Sequence, residues 1–247
     1  MNKVLVEVRD VGKVFHSDWG SIEALKEVNF RCNQSEFVSI VGASGCGKTT
    51  LLRIIAGLEP PSSGEVLIDG ENIDGPGYGR AVVFQEPRLF PWLTVEKNTA
   101  LGIQGVEKQD EVEKIVASSL QLVGLIQFSK AYPYELSGGM AQRVSLARAL
   151  TFKPKVFLMD EPFSALDAQT RARMQEEIID LWQKTGKTVI LVTHDIEEAL
   201  TVSQKIMIMS PSPGTIKEVL EVPFTYPRNP DRLEFINMRK AILEAIR

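Results

Sequence analysis

The chain opens with apolar residues set among charged ones. Residues 3–11, 23–32 and 64–70 are short, Val-rich segments of this kind. Interleaved charge keeps part of a strand in water, so they predict partly exposed antiparallel strands forming a β-rich flank. A second class of segment carries no such interruption: Phe37 to Val41, Ala81 to Phe84, Val156 to Met159 and Val189 to Val192, with Ile206 to Met209 as a fifth candidate. Short unbroken apolar runs predict strands buried on both faces, the pattern of a parallel sheet. Between Pro87 and Leu150 the period becomes helical. Val112, Ile115, Val116, Leu120 and Val123 recur at helix spacing, and Gly124 supplies a stop. Further helices are expected from Leu51, from Ser137 with Met140, Val144, Ala147 and Leu150 as the apolar side, and near Leu233 to Ile246 after the Pro-rich stretch Pro211 to Pro230.

The expected fold class is α/β, with a mainly parallel core sheet, an N-terminal antiparallel β flank and an inserted α-helical subdomain. Within one domain spanning 1–247, the predicted parts are 1–86 with 151–220 for core and flank, 87–150 for the helical subdomain, and 221–247 for a tail helix. Composition permits this, since 247 residues at 44% hydrophobic content supply a sizeable core. A net charge of -4, from 28 basic and 32 acidic residues, gives no general positive field for nucleic acid or anionic lipid. Nucleic acid is therefore not expected as a partner, and any phosphate site must be local. Cys32 and Cys46 are the only cysteines, too few for a disulfide scaffold and suited to a reducing compartment. The first ten residues lack the apolar core of a signal peptide, and no apolar run approaches the length of a spanning helix. Association with a membrane is expected to go through a partner.

Gly42-Ala43-Ser44-Gly45-Cys46-Gly47-Lys48-Thr49 fits the phosphate-loop pattern G-x-x-x-x-G-K-[ST], and it stands between an apolar strand and an apolar helix. Glycines let backbone N–H groups converge on phosphate oxygens, and the helix start adds positive potential. Lys48 then reaches the outer phosphates and Thr49 offers a hydroxyl to Mg²⁺. Thr50 completes the candidate cradle. Cys46 reads as a small residue in a tight loop rather than a redox centre. The run Val156 to Met159 ends in Asp160-Glu161. Asp160 is the candidate Mg²⁺ ligand and Glu161 the candidate base for an attacking water. The following Pro162 is expected to hold Glu161 extended. Gln85 and His194 also follow apolar runs directly, and open parallel sheets bind ligands beyond the carboxyl ends of their strands. Ser137 is a good N-cap, and the consecutive Gly138 and Gly139 suggest close backbone approach to an anion at a helix start.

With these residues in place the chain resembles the nucleotide-binding subunits of ABC transporters, nearly end to end. Leu136-Ser137-Gly138-Gly139-Met140 is similar to that family's signature, Ser164-Ala165-Leu166-Asp167 to its D-loop, and His194 to its switch histidine. The resemblance implies ATP and Mg²⁺ as cofactors, with Glu161 and His194 catalytic. It implies that Gln85 contacts Mg²⁺ beside Thr49 and Asp160, and that Ser137, Gly138 and Gly139 bind the γ-phosphate of ATP held by a second ABC ATPase chain, with a homodimer as the expected assembly. The adenine-stacking aromatic is expected at Phe15, with Trp19 as competitor. The segment Phe84 to Val95, together with Met209 to Gly214, resembles importers for nitrate, taurine and aliphatic sulfonates, and importers for thiamine-precursor pyrimidines look alike. Phe90 and Trp92 either line a groove for a permease or pack the helical subdomain. Implied partners are transmembrane permease subunits and, indirectly, a substrate-binding protein, with the chain peripheral on the cytoplasmic face of the membrane. A soluble ABC ATPase of repair or translation and a small-molecule kinase are the alternatives.

Overall fold

In the computed structural model, residues 3–18, 20–103, 105–106, 108–164 and 166–246 are described. The chain divides into two compact units, Met1–Gly77 with Gly186–Arg247, and Tyr78–Thr185.

The first unit contains both strand types that the hydrophobic pattern separates. Strands β1 (Val4–Ser17) and β2 (Gly20–Asn33) form a long antiparallel hairpin, and β4 (Ser63–Ile68) pairs antiparallel on the other side of β1, followed by the short β5 (Glu71–Asn72). In β1, Leu5, Val6, Val8 and Val11 are buried while Arg9 and Asp10 face solvent. The unbroken runs form parallel strands: β3 (Phe37–Val41) lies between β8 (Thr188–Thr193) and β9 (Lys205–Met209). Every residue of β3 and β8 is buried, which is why neither run needed a polar alternation. The helix after β3, α1 (Lys48–Ala56), buries Leu51, Leu52, Ile54 and Ile55.

An element not legible in the Pro-rich stretch is β10 (Ile216–Glu221), an antiparallel partner of β9. It is largely exposed and half charged, so it lacks the apolar run that marked the others. Beyond it, α7 (Leu233–Ile246) buries Phe235 and Ile242 in a cluster with Val41, Ile196, Ala199, Leu200, Ile206, Ile208 and Val222. Ile196, Ala199 and Leu200 belong to α6 (Ile196–Val202). The tail grips α6 at both ends. Arg228 donates to the Leu200, Ser203 and Phe224 carbonyls at 2.6, 2.5 and 3.1 Å, and the Tyr226 hydroxyl donates to the Val202 carbonyl at 2.7 Å. At the opposite end, Arg239 pairs with Glu197 at 3.0 Å.

The second unit pairs β6 (Arg80–Val83) with β7 (Val156–Asp160) in parallel, and it contains the helical stretch 87–150. Its helices are α2 (Val95–Ala100), α3 (Gln109–Leu122), α4 (Gly138–Thr151) and α5 (Ala168–Thr185). In α3, Val116 and Leu120 are buried as their spacing predicts, and Gly124 follows at φ 66. The expected stripe on α4 is too narrow. Val144 and Ala147 are buried, but so are Gln142, Ser145, Leu146, Ala149 and Thr151, while Met140 and Leu150 are only half-buried. A helix packed on several sides cannot be read from one apolar face. Among the described residues no helix is long and apolar enough to cross a membrane.

Candidate active site

The turn from β3 to α1 is built on glycine for stated reasons. Gly45 and Gly47 have φ of 79° and 96°, which a side chain makes costly. A Cβ on Gly47 would stand 2.6 Å from Leu25 Cδ2 and 2.8 Å from the Ala24 carbonyl oxygen. One on Gly42 would meet Cys46 Sγ at 2.8 Å. Gly47 is also the N-cap of α1 and has no side chain with which to cap it, so the first-turn N–H groups point to the loop. Lys48 is buried, and its Nζ donates to the carbonyls of Gly42 (2.9 Å) and Ala43 (3.0 Å), with Cys46 Sγ at 3.8 Å. Ala43, Ser44 and Gly45 are exposed, and Thr49 and Thr50 half-buried. Cys46 is 1% exposed, in keeping with a packing role.

Val41 on β3 pairs with Thr193 on β8, so Gly42 and His194 leave neighbouring strands side by side. His194 is exposed, and the turn behind it is tightly tied. Thr193 Oγ1 donates to Glu198 at 2.7 Å and accepts from the Asp195 N–H at 3.0 Å, while the Asp195 carboxylate accepts from the Glu197 and Glu198 N–H groups at 2.8 and 3.2 Å. Phe15, on β1, is 41% exposed. Trp19 lies outside the described residues.

In the second unit Val83 pairs with Met159, so Gln85 and the acids Asp160 and Glu161 also leave adjacent strands at one end. Gln85 is exposed, and Asp160 is the half-buried last residue of β7. Glu161 departs from expectation: its φ is 45°, on the left-handed side and not extended. The turn that follows accounts for this, because the Glu161 carbonyl accepts from the Ser164 N–H (3.3 Å) and Oγ (3.0 Å) while Phe163 is buried. Closing that turn outweighs the preference imposed by Pro162. Ser137 caps α4, accepting from the Met140 N–H at 3.3 Å. Gly138 is exposed with open space where a Cβ would be, whereas a Cβ on Gly139 would meet Thr170 Cγ2 at 2.7 Å. Only Gly138 is thus free of a packing demand of its own. Asp167 accepts from the Gln169 and Thr170 N–H groups at 3.1 and 3.0 Å. The Thr170 hydrogen bond above all holds its carboxyl below the usual range. Ala165 lies outside the described residues.

The structure therefore groups Phe15, residues 42–50 and His194 in the first unit, and Gln85, Ser137, Gly138, Gly139, Asp160 and Glu161 in the second. Sequence reasoning missed the residues that brace these. Gln142 donates to the Phe84 carbonyl at 3.0 Å, tying α4 to the strand end before Gln85. The buried Asn98 bonds the backbone of Phe90, Leu93 and Thr94, and it orders the loop where Phe90 and Trp92 pack with ring centroids 5.3 Å apart. Trp92 remains 69% exposed. The D-x-x-E spacing of Asp195 and Glu198 was the one available signal, an N-cap with an acid three residues on. Thr49, Gln85 and Asp160 offer oxygen donors, the type Mg²⁺ prefers. Among the described residues no group of three His, Cys, Asp or Glu is placed to hold a metal.

Residues 25–164 match the model of a family described as ABC transporter. This chain belongs to that family. It is an ATP-binding cassette, an ATPase of transport. The cassette is 46% identical to the aliphatic sulfonates import ATP-binding protein SsuB of Bacillus cereus, over 97% of this chain and 94% of that one. It is 48% identical to the nitrate import ATP-binding protein NrtD of Synechocystis, over 88% and 82%. It is 46% identical to the taurine import ATP-binding protein TauB of Pelagibacter ubique, over 87% and 82%. Among solved structures, a dimeric ATP-binding cassette in a post-hydrolysis state bound to ADP and Pi is similar at a TM-score of 0.79 and 33% identity, covering 90% of this cassette and all of that chain.

Proposed function

We propose that this cassette is the ATP-hydrolysing subunit of an importer for a small oxyanionic solute: nitrate, taurine or another sulfonate. The observation that carries this is identity of 46–48% over most of the chain to subunits of importers for those cargoes. Two copies close over two ATP on the cytoplasmic face of a permease, and a substrate-binding protein delivers cargo from the other side.

In this reading Lys48 exchanges the Gly42 and Ala43 carbonyls for phosphate oxygens, and the N–H groups of residues 43–49 line the phosphates. Phe15 stacks on adenine. Thr49, Gln85 and Asp160 would hold Mg²⁺, which would supply charge neutralisation at the phosphates. Glu161 takes a proton from water as its oxygen attacks the γ-phosphorus. The bond from that phosphorus to the β–γ bridging oxygen breaks, leaving ADP and inorganic phosphate. His194 steadies the γ-phosphate, and Ser137, Gly138 and Gly139 contact the γ-phosphate of ATP held by the other copy. Closed and open dimers differ in these contacts, so ATP shifts the balance between them.

The shared site is tested by mixing Lys48→Ala chains with Gly138→Asp chains, all carrying Glu161→Gln. The mixed dimer retains one site assembled from undamaged parts and should trap one ATP, while neither homodimer traps any. Trapping no greater than in the homodimers would overturn the model. Cargo is tested by reconstituting the cassette with its permease and measuring ATPase stimulation by binding protein loaded with nitrate, taurine or an alkanesulfonate. Stimulation by none of the three would overturn the cargo assignment.

A further inference from the structure

Lys13 is 7% exposed, although a buried ammonium is costly unless it is paired. Its Nζ meets Glu59 Oε1 at 2.5 Å and donates to the Pro60 carbonyl at 2.7 Å. It also stands over the ring of Phe15, 5.0 Å from the centroid. Glu59 and Pro60 follow Gly57, the C-cap of the helix that begins at Lys48. The segment after them grips the same stretch of β1. The Ser62 N–H donates to the Gly12 carbonyl at 2.8 Å, and Ser62 Oγ accepts from the Val14 N–H at 3.0 Å. A continuous set of contacts thus runs from the far end of the phosphate-loop helix, through Glu59 and Lys13, to Phe15, all within the first unit.

A cation behind one face of an aromatic ring does two things. It resists tilting of the ring, because the attraction is to the face. It also draws π density inward, which lowers the quadrupole repulsion that opposes face-to-face stacking of a second electron-rich ring on the other side. We propose that Lys13, anchored by Glu59, is a positioning residue for base recognition: it orients and polarises Phe15 so that the exposed side of the ring receives a purine. This rests on the reading of Phe15 as the base-stacking residue.

The test separates base from phosphate. Affinities for ATP and for inorganic tripolyphosphate, each with Mg²⁺, are measured by calorimetry for the wild type, Lys13→Met, Lys13→Arg, Phe15→Ala and Lys13→Met with Phe15→Ala. Phe15→Ala should weaken ATP and leave tripolyphosphate unchanged. Lys13→Met should weaken ATP about three- to ten-fold, the range expected of a cation–π contact, again sparing tripolyphosphate. Lys13→Arg should restore most of the loss, and Lys13→Met should add nothing once Phe15 is alanine. If Lys13→Met fails to fold, Lys13→Met with Glu59→Gln removes both charges together and must give the same pattern. Equal loss for both ligands, or an undiminished Lys13 effect in the Phe15→Ala background, would overturn the inference. An unchanged ATP affinity in Phe15→Ala would instead overturn the assignment of Phe15 itself.

Discussion

Behind Val41 the chain turns on glycines, and behind Asp160 it turns on a glutamate. Both turns leave the carboxyl ends of buried parallel strands, and both use backbone at positive φ: 79° at Gly45, 96° at Gly47 and 45° at Glu161. In the proposed mechanism the glycine positions of the first turn contribute only main-chain N–H groups, so no side chain is needed there and glycine takes the conformation cheaply. In the second, the proposed mechanism uses the side chain itself, and the fold holds a non-glycine residue where about 1–2 kcal/mol of strain is expected.

The largest effect should come from Glu161→Gln, which keeps size and strain but cannot accept the water's proton. Hydrolysis should fall about 10²–10⁴-fold with ATP affinity retained, as single-turnover kinetics and equilibrium binding would reveal. Near-normal turnover would erase the contrast. Lys48→Ala acts on the other turn and should weaken binding of a slowly hydrolysed ATP analogue by about ten- to a hundred-fold, the value of a charge-assisted hydrogen bond. Undiminished affinity would remove the cradle assignment. The smallest effects are in stability, read by chemical denaturation. Gly47→Ala should cost about 2–3 kcal/mol, since it combines strain with a clash on backbone, and Gly45→Ala, which faces open space, about 1 kcal/mol. Glu161→Gly should be about 1 kcal/mol more stable than Glu161→Gln. A glycine at 161 that destabilises would mean the turn carries no strain.

The parallel strands were legible because burial on both faces leaves an unbroken apolar run, and all five runs are strands within a residue or so of their expected ends. The hairpin tip was less so. His16 pairs with Ser21 and Ser17 with Gly20, yet these four residues are exposed, so no apolar pattern marks them as strand. The charged helix α5 buries Met174, Ile178 and Leu181 on one face, a spacing its many polar residues obscure. Within the site, residues at strand ends were visible because each follows an apolar run. The bracing contacts of Gln142, Asn98 and Lys13 were not, since they depend on partners 58, 8 and 47 residues away. The φ of Glu161 could not be read either, because a turn closed by Ser164 overrides what its neighbour Pro162 prefers.

The clasp that the tail places on α6 bears on how this protein can be handled. The short helix that starts just after His194 is fastened at its far end by Arg228 and Tyr226 and at its near end by Arg239. The last two dozen residues therefore act as a retaining spring for a distant loop, and a fusion partner or affinity tag is better joined ahead of β1 than behind α7.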